Sequence, residues 1–286
     1  MTGTIAVGLD GTDPSLAAAD WAAAEASARG AALRLVHAWA WHPLDTPTDA
    51  DTQGRRDWAR EVLRTAEDRV RRGHPELSVS AEARSDEPVP ALLAAAADAD
   101  LLVLGSRGHG ALAGFLLGSV SLQVLRQATG PVVVVRGGYE PGPGGPGEVV
   151  TGVRETGEEG APVLEFAFTA AAARGAPLRA VRAWHLPGPF ELGTQALRAA
   201  DDAGGPEPLN RRLLADALRP WRERHPDVPV TEHVEIGGAP EVLLTASGRA
   251  DLVVVGRRTS GRKGIGSVTH AVLHHAPCPV AVVPYP

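Results

Sequence analysis

The chain carries one pattern twice, and this constrains its fold more than any other property of the sequence. His74-Pro75-Glu76 followed by Asp100-Leu101-Leu102-Val103-Leu104-Gly105 aligns, gap-free at one offset, with His225-Pro226-Asp227 followed by Asp251-Leu252-Val253-Val254-Val255-Gly256. Upstream, Arg29 to Trp39 matches Arg174 to Trp184. Downstream, Gly118-Ser119-Val120 and Pro131 to Val135 match Gly266-Ser267-Val268 and Pro279 to Val283. Three blocks in the same order mark an internal duplication. Between the copies, Gly137 to Gly147 is too rich in Gly and Pro to sustain helix or strand and reads as a linker. The expected organisation is a domain over 1–138, a linker over 139–147 and a second domain over 148–286.

Each copy alternates short apolar runs with helical stretches. In the first, Ile5–Leu9, Leu33–Ala38, Leu101–Leu104 and Val132–Val135 are buried-strand candidates, and Leu77–Ala83 is a more exposed one. Helices are expected over Pro14–Arg29, with Asp13 as N-cap and Gly30 just past the end, and over Arg55–Arg72, Pro90–Ala99 and Ser119–Gln127. Residues 40–54, with Pro43 and Pro47, are expected to be loop. Strands that are apolar throughout and separated by helices imply a parallel sheet covered on both faces. The fold class is therefore α/β: two tandem Rossmann-like domains, each a five-stranded parallel sheet with helices on both faces. Ligands in such sheets sit at the carboxyl ends of the strands, so the loops after Leu9, Ala38 and Leu104 are the ones to inspect.

Charge and cysteine content narrow the partners. A net charge of −6 argues against nucleic acid or an anionic membrane, both of which reward a basic face. Cys278 is the only cysteine, which removes disulfides and cysteine-cluster metal sites and leaves a small buried hydrophobe as its simplest role. No signal-like N-terminus or membrane-length apolar run is present, so a soluble, cytoplasmic protein is expected. His270 and His274 have metal-ligand spacing on a helix, but no third ligand joins them and no metal is expected.

The segment Gly105-Ser106-Arg107-Gly108-His109-Gly110-Ala111, continuing to Gly118-Ser119-Val120-Ser121, carries the chemistry. Glycine at a strand end lets backbone N–H groups approach an anion, and the helix after Gly118 adds free N–H groups and the positive end of its dipole. Ser119 and Ser121 supply hydroxyls, and Arg107 and His109 can supply charge. The alternative is a flexible glycine turn. A Walker loop is absent, and a dinucleotide fingerprint would follow the first strand rather than the fourth.

The spacing Gly105-x2-Gly108-x9-Gly118-Ser119 resembles the nucleotide motif of the universal stress protein family. Val7-Gly8-Leu9-Asp10-Gly11-Thr12 is similar to that family's first strand and acidic turn, and Leu35-Val36-His37-Ala38 to the end of its second strand. The resemblance spans nearly the whole chain, as a tandem two-domain member. It implies ATP as ligand, with or without Mg2+. Gly8 would leave room for the nucleotide, Asp10 would sit beside the adenosine, and Ala38 would meet the adenine edge through its backbone. Gly105, Ser106, Arg107, Gly108, His109, Gly110 and Ala111, with Gly118, Ser119 and Val120, would wrap the phosphates. Taken alone, Asp10 could equally be a helix-capping or turn aspartate. The family also pairs its domains, which implies intramolecular pairing near Val132–Val135 and Val280–Val283, a possible homodimer and an unknown regulatory protein partner.

The second copy departs from the motif. Arg154 stands where Asp10 does, and Gly256-Arg257-Arg258-Thr259 lacks the second glycine and reaches Gly266-Ser267 by a shorter route. Weak or absent nucleotide binding is expected there, with Arg257, Arg258, Arg262 and Lys263 forming a solvated basic loop or, alternatively, an anion site. No nucleophile elbow, paired carboxylates or dedicated base accompanies the phosphate loop. Three functions remain open: a nucleotide-dependent stress or regulatory protein, a slow ATPase or phosphotransferase using Ser119 or Ser121, and a nucleotide-independent interaction scaffold.

Overall fold

The structure, a computed structural model, describes residues 3–39, 49–106, 117–139, 147–154, 157–185, 204–260 and 264–286. The chain divides into two units, Met1–Glu140 and Pro141–Pro286, and the division falls within the Gly/Pro segment 139–147.

The first unit runs β1 (Thr4–Leu9), α1 (Asp13–Arg29), β2 (Ala32–Ala38), α2 (Asp49–Gly73), β3 (Val79–Arg84), α3 (Pro88–Ala97), β4 (Leu101–Ser106), α4 (Ser119–Gln127) and β5 (Val132–Arg136). Its strands pair in parallel in the order β3-β2-β1-β4-β5. Helices α1 and α2 pack together against the sheet, as do α3 and α4 on its other face. The second unit repeats this with β6 (Glu148–Gly152), α5 (Ala161–Arg174), β7 (Leu178–Trp184), α6 (Pro206–Arg224), β8 (Val230–Ile236), α7 (Ala239–Ala246), β9 (Ala250–Arg258), α8 (Ser267–His275) and β10 (Val280–Tyr285). Its strand order is β8-β7-β6-β9-β10, again parallel. The α/β class and the tandem five-stranded parallel sheets follow the sequence expectation.

The cores are aliphatic because the chain has little else to bury. Leu33, Leu35, Leu101 and Leu102 are fully enclosed in the first unit, and Leu178, Leu214, Leu218 and Leu252 in the second. On α1 the inward stripe is Ala18, Ala19, Ala22, Ala23 and Ala26, all at 0% exposure, and these short side chains let the helix lie close on the sheet. Cys278 is buried.

Two repeated residues have repeated structural jobs. Gly30 and Gly175 end α1 and α5 in the left-handed conformation, at φ 61° and φ 60°, each returning its N–H to the last turn. Asp100 and Asp251 each accept a backbone N–H at the start of their unit's first strand, Asp100 from Thr4 at 2.8 Å and Asp251 from Gly147. The central strand is thus fixed to its neighbour at the end opposite the ligand edge.

Several boundaries differ from expectation. The N-cap of α1 is Thr12, at φ −90° and ψ 157°, and Asp13 is the first helical residue, followed by Pro14 where a missing N–H costs nothing. Helix α2 begins at Asp49 rather than Arg55, so residues 49–54 are helical where loop was expected. Likewise α3 begins at Pro88, a proline at the first helical position, and β3 begins at Val79. Strand β4 continues through Gly105 and Ser106, and β9 through Arg257 and Arg258. The latter pair therefore belongs to a strand and not to a loop, and Arg257 is only 6% exposed where a solvated residue was expected.

Candidate functional site

In the first sheet the connections leaving β1 and β4 diverge: β1 leads outward to β2, and β4 leads outward to β5 on the other side. A crevice opens at such a reversal, outside the carboxyl ends of the two central strands. The register pairs Gly8 with Leu104, so Asp10, just past β1, and Ser106, at the end of β4, reach the same edge.

Asp10 is held by its own turn. Its Oδ1 accepts the Thr12 backbone N–H at 3.1 Å and the Thr12 hydroxyl at 2.6 Å. Gly11 makes the turn possible at φ 79°, a conformation costly for any side chain, and a Cβ there would crowd Trp58 and Val62. Partial burial works to raise the Asp10 pKa, but the hydrogen bonds from Thr12, helped by Ser15, hold it below the ordinary carboxylate value. The result is a fixed anion at the mouth of the crevice, able to accept further hydrogen bonds.

The glycines of the motif have neighbours that spacing alone does not reveal. A Cβ on Gly105 would strike the backbone of Pro14 and Ser15, so glycine here admits the start of α1. A Cβ on Gly8 would meet Leu92 and Leu104, on the α3 side of the sheet. Ser106 is buried, with its hydroxyl directed to the Val135 carbonyl at 3.4 Å. Ala38 ends β2, half-buried, opposite Arg84.

Helix α4 offers the open anion-binding end. Gly118 precedes it at φ −58° and ψ 150°, and among the described residues no side chain caps it and nothing lies within 4 Å of where a Gly118 Cβ would stand. The first helical bond runs from Leu122 N–H to the Gly118 carbonyl at 2.9 Å, so helix geometry gives the N–H groups of Ser119, Val120 and Ser121 no intrahelical acceptor. Ser119 is exposed and Ser121 is buried. Three N–H groups at a helix start, without an intrahelical acceptor, are a donor set that suits a phosphate. Arg107, Gly108, His109, Gly110 and Ala111 lie outside the described residues.

The structure adds His37, a residue outside the expected site set. It is 2% exposed, its Nδ1 lies 2.8 Å from the Leu9 carbonyl, and its ring meets Trp58 edge-on at 4.9 Å. Since a carbonyl only accepts, Nδ1 must carry the proton, and Nε2 is buried with no hydrogen-bond partner among the described residues. The signal available in the sequence is a lone polar residue closing the apolar strand Leu33-Arg34-Leu35-Val36-His37-Ala38 at the ligand edge.

In the second unit the corresponding edge is rebuilt. Pairing of Gly152 with Val181, against Gly8 with Val36, puts Arg154 at the Asp10 position and Arg182 at the His37 position. Arg182 donates to the carbonyls of Val153 and Arg154, at 3.4 and 2.9 Å, and to Asn210 Oδ1 at 2.8 Å. Thr269, the counterpart of Ser121, donates to the Gly256 carbonyl at 2.9 Å. The His270 and His274 rings stack at 4.2 Å, and among the described residues no group of three or more His, Cys, Asp or Glu converges as a metal site. No helix among them is long and apolar enough to cross a membrane.

Comparison with known proteins agrees with this geometry. The model of the universal stress protein family matches residues 1–136 and again 149–284. A universal stress protein of Mycobacterium tuberculosis strain H37Rv is 36% identical over 299 residues, covering 97% of this chain and 96% of that protein. One from Mycolicibacterium smegmatis is 33% identical over 296 residues, covering 98% and 96%. A solved universal stress protein structure from Archaeoglobus fulgidus superposes with a TM-score of 0.72 over 98% of both chains at 18% identity, a likeness of fold.

Proposed function

The chain belongs to the universal stress protein family, and from that premise we propose that its N-terminal unit binds ATP and that occupancy of the site governs a regulatory interaction with another protein. The observation that carries the proposal is the N-terminus of α4, uncapped among the described residues, together with Asp10 held as a fixed carboxylate past the end of β1. The two ends of a nucleotide need those two chemistries: N–H groups for phosphate, and an acceptor for ribose or adenine hydrogens. In this reading Asp10 and the Ala38 backbone face the nucleoside. Gly105 to Ala111, with Gly118 to Val120, face the phosphates, and Ser121 supports the cradle from within. Bound ATP would supply the triphosphate charge, with Mg2+ where its oxygens carry one. The protein acts in the cytoplasm, as a binder rather than a catalyst of turnover.

The test is nucleotide retention. Purified protein is denatured and its supernatant resolved by ion exchange, and protein stripped of ligand is then titrated with ATP in a calorimeter. Adenine nucleotide in the supernatant, or saturable uptake by the stripped protein, is the expected result. A protein that is empty as isolated and ignores added ATP would overturn the reading and leave a nucleotide-independent scaffold. The phosphotransfer alternative rests on Ser119, since burial of Ser121 takes that hydroxyl away from an incoming acceptor. Steady ADP release, lost in Ser119→Ala, would favour that alternative.

A further inference from the structure

The second unit has a large cavity where its relation to the first predicts a ligand, but its chemistry is different. A space of about 950 Å³ opens at the carboxyl ends of β6, β7 and β9, against the starts of α6, α7 and α8. Folded interiors rarely leave voids larger than a water molecule, and a volume of this order is typical of small-molecule sites. Its walls combine Val163, Leu164, Val181, Leu209 and Leu243 with the basic residues Arg154, Arg182 and Arg258. Among the described lining residues there is no Asp or Glu. Glu159 does approach Arg258, but at 3.7 Å and well exposed, where such a pair is worth little.

A nucleotide suits this cavity poorly. Where Asp10 could accept ribose hydroxyls in the first unit, Arg154 offers only donors. After Gly256 the sequence runs Arg257-Arg258-Thr259, so the second glycine of the first unit's motif is replaced. What the cavity does offer is apolar volume and positive charge.

We propose that the C-terminal cavity is a binding site for a small amphipathic anion, a single carboxylate or similar acidic head on an apolar body, in place of a nucleotide. The apolar body fills the space bounded by Val181, Leu209 and Leu243. The head lies toward Arg154, with the first N–H groups of α8 at Ser267 and Val268 close to the same wall. Arg182 contributes charge while its guanidinium stays tied to two carbonyls and Asn210.

The experiment uses the whole chain and the dye anilinonaphthalene sulfonate, an apolar ring system with one anionic group. Saturable fluorescence is expected, displaced by decanoate and not by decanol or ATP. Leu209→Trp, which fills the cavity, should abolish dye binding. Arg154→Glu should weaken decanoate about tenfold, the equivalent of one lost charge-assisted contact. Circular dichroism establishes that each variant is folded, and Arg154→Glu at the exposed edge keeps the test decisive if Leu209→Trp is not. Absence of saturable binding, equal displacement by decanol and decanoate, displacement by ATP, or a decanoate affinity unmoved by Arg154→Glu would each overturn the proposal. None of these outcomes bears on ATP retention by the first unit.

Discussion

His37 and Arg182 occupy matching positions in the two units, and each donates a hydrogen bond to a carbonyl where its unit's first strand ends, His37 to Leu9, the last residue of β1, and Arg182 to Val153, the residue just past β6. The bond that joins the ends of the two neighbouring strands has been kept while the group making it has changed from an imidazole to a guanidinium. In the first unit this bond is buried, so its loss leaves a desolvated carbonyl unpaired. His37→Leu is expected to destabilise the N-terminal unit by about 1–3 kcal/mol, the cost of an unsatisfied buried acceptor. Urea unfolding followed by circular dichroism measures it; an unchanged midpoint would show that water replaces the imidazole there.

Asp10 links the site to pH. Its folded pKa lies below the ordinary value because Thr12 bonds the ionised form more strongly than burial disfavours it. A depressed carboxylate stabilises the fold above its unfolded pKa, and that stability fades as pH falls through the folded one. Wild type should therefore exceed Asp10→Asn in stability at neutral pH, with the difference shrinking as pH enters the acid range. Thermal unfolding of both proteins across pH measures this. Thr12→Ala, which removes the 2.6 Å hydroxyl bond, should move the Asp10 titration upward in an NMR experiment.

The fold was legible because its signals are local. The apolar runs at Leu33–Ala38 and Leu101–Leu104, the glycines closing α1 and α5, and the span Ser119–Gln127 each depend on a few adjacent residues. Gly105 shows what was not legible. Its position after a strand suggested a close approach to phosphate, whereas the space a Cβ would need is taken by the Pro14–Ser15 backbone, from a distant part of the chain. Arg257 is similar: four basic residues close together suggested solvent, but strand pairing carries this one inward. Spacing reports which residue types recur and says little about which atoms press on them.

That difference separates two substitutions that look alike on paper. Gly105→Ala places a methyl group against rigid backbone and is expected to cost about 1–3 kcal/mol of stability, as overpacking does. Gly118→Ala meets nothing within 4 Å at an ordinary φ of −58°, so it should unfold at the wild-type midpoint. If Gly118→Ala nevertheless weakens ATP, the loss reports on the ligand's approach to α4 and not on folding. Denaturant curves and calorimetric titrations on the pair read both effects.

The two units should also differ in nucleotide stoichiometry. One equivalent of ATP per chain is expected in a calorimetric titration, because only the first copy has both the Asp10 carboxylate and the full glycine motif in the sequence ahead of α4. Asp10→Ala should weaken that single event. Arg154→Asp restores a carboxylate to the second copy but neither the missing second glycine nor the length of the segment before Gly266. It should therefore leave the stoichiometry at one. A second equivalent in the wild type would assign nucleotide to the cavity beside Arg154. A second equivalent appearing only in Arg154→Asp would mean that the charge at this one position, and not the loop, decides which unit binds.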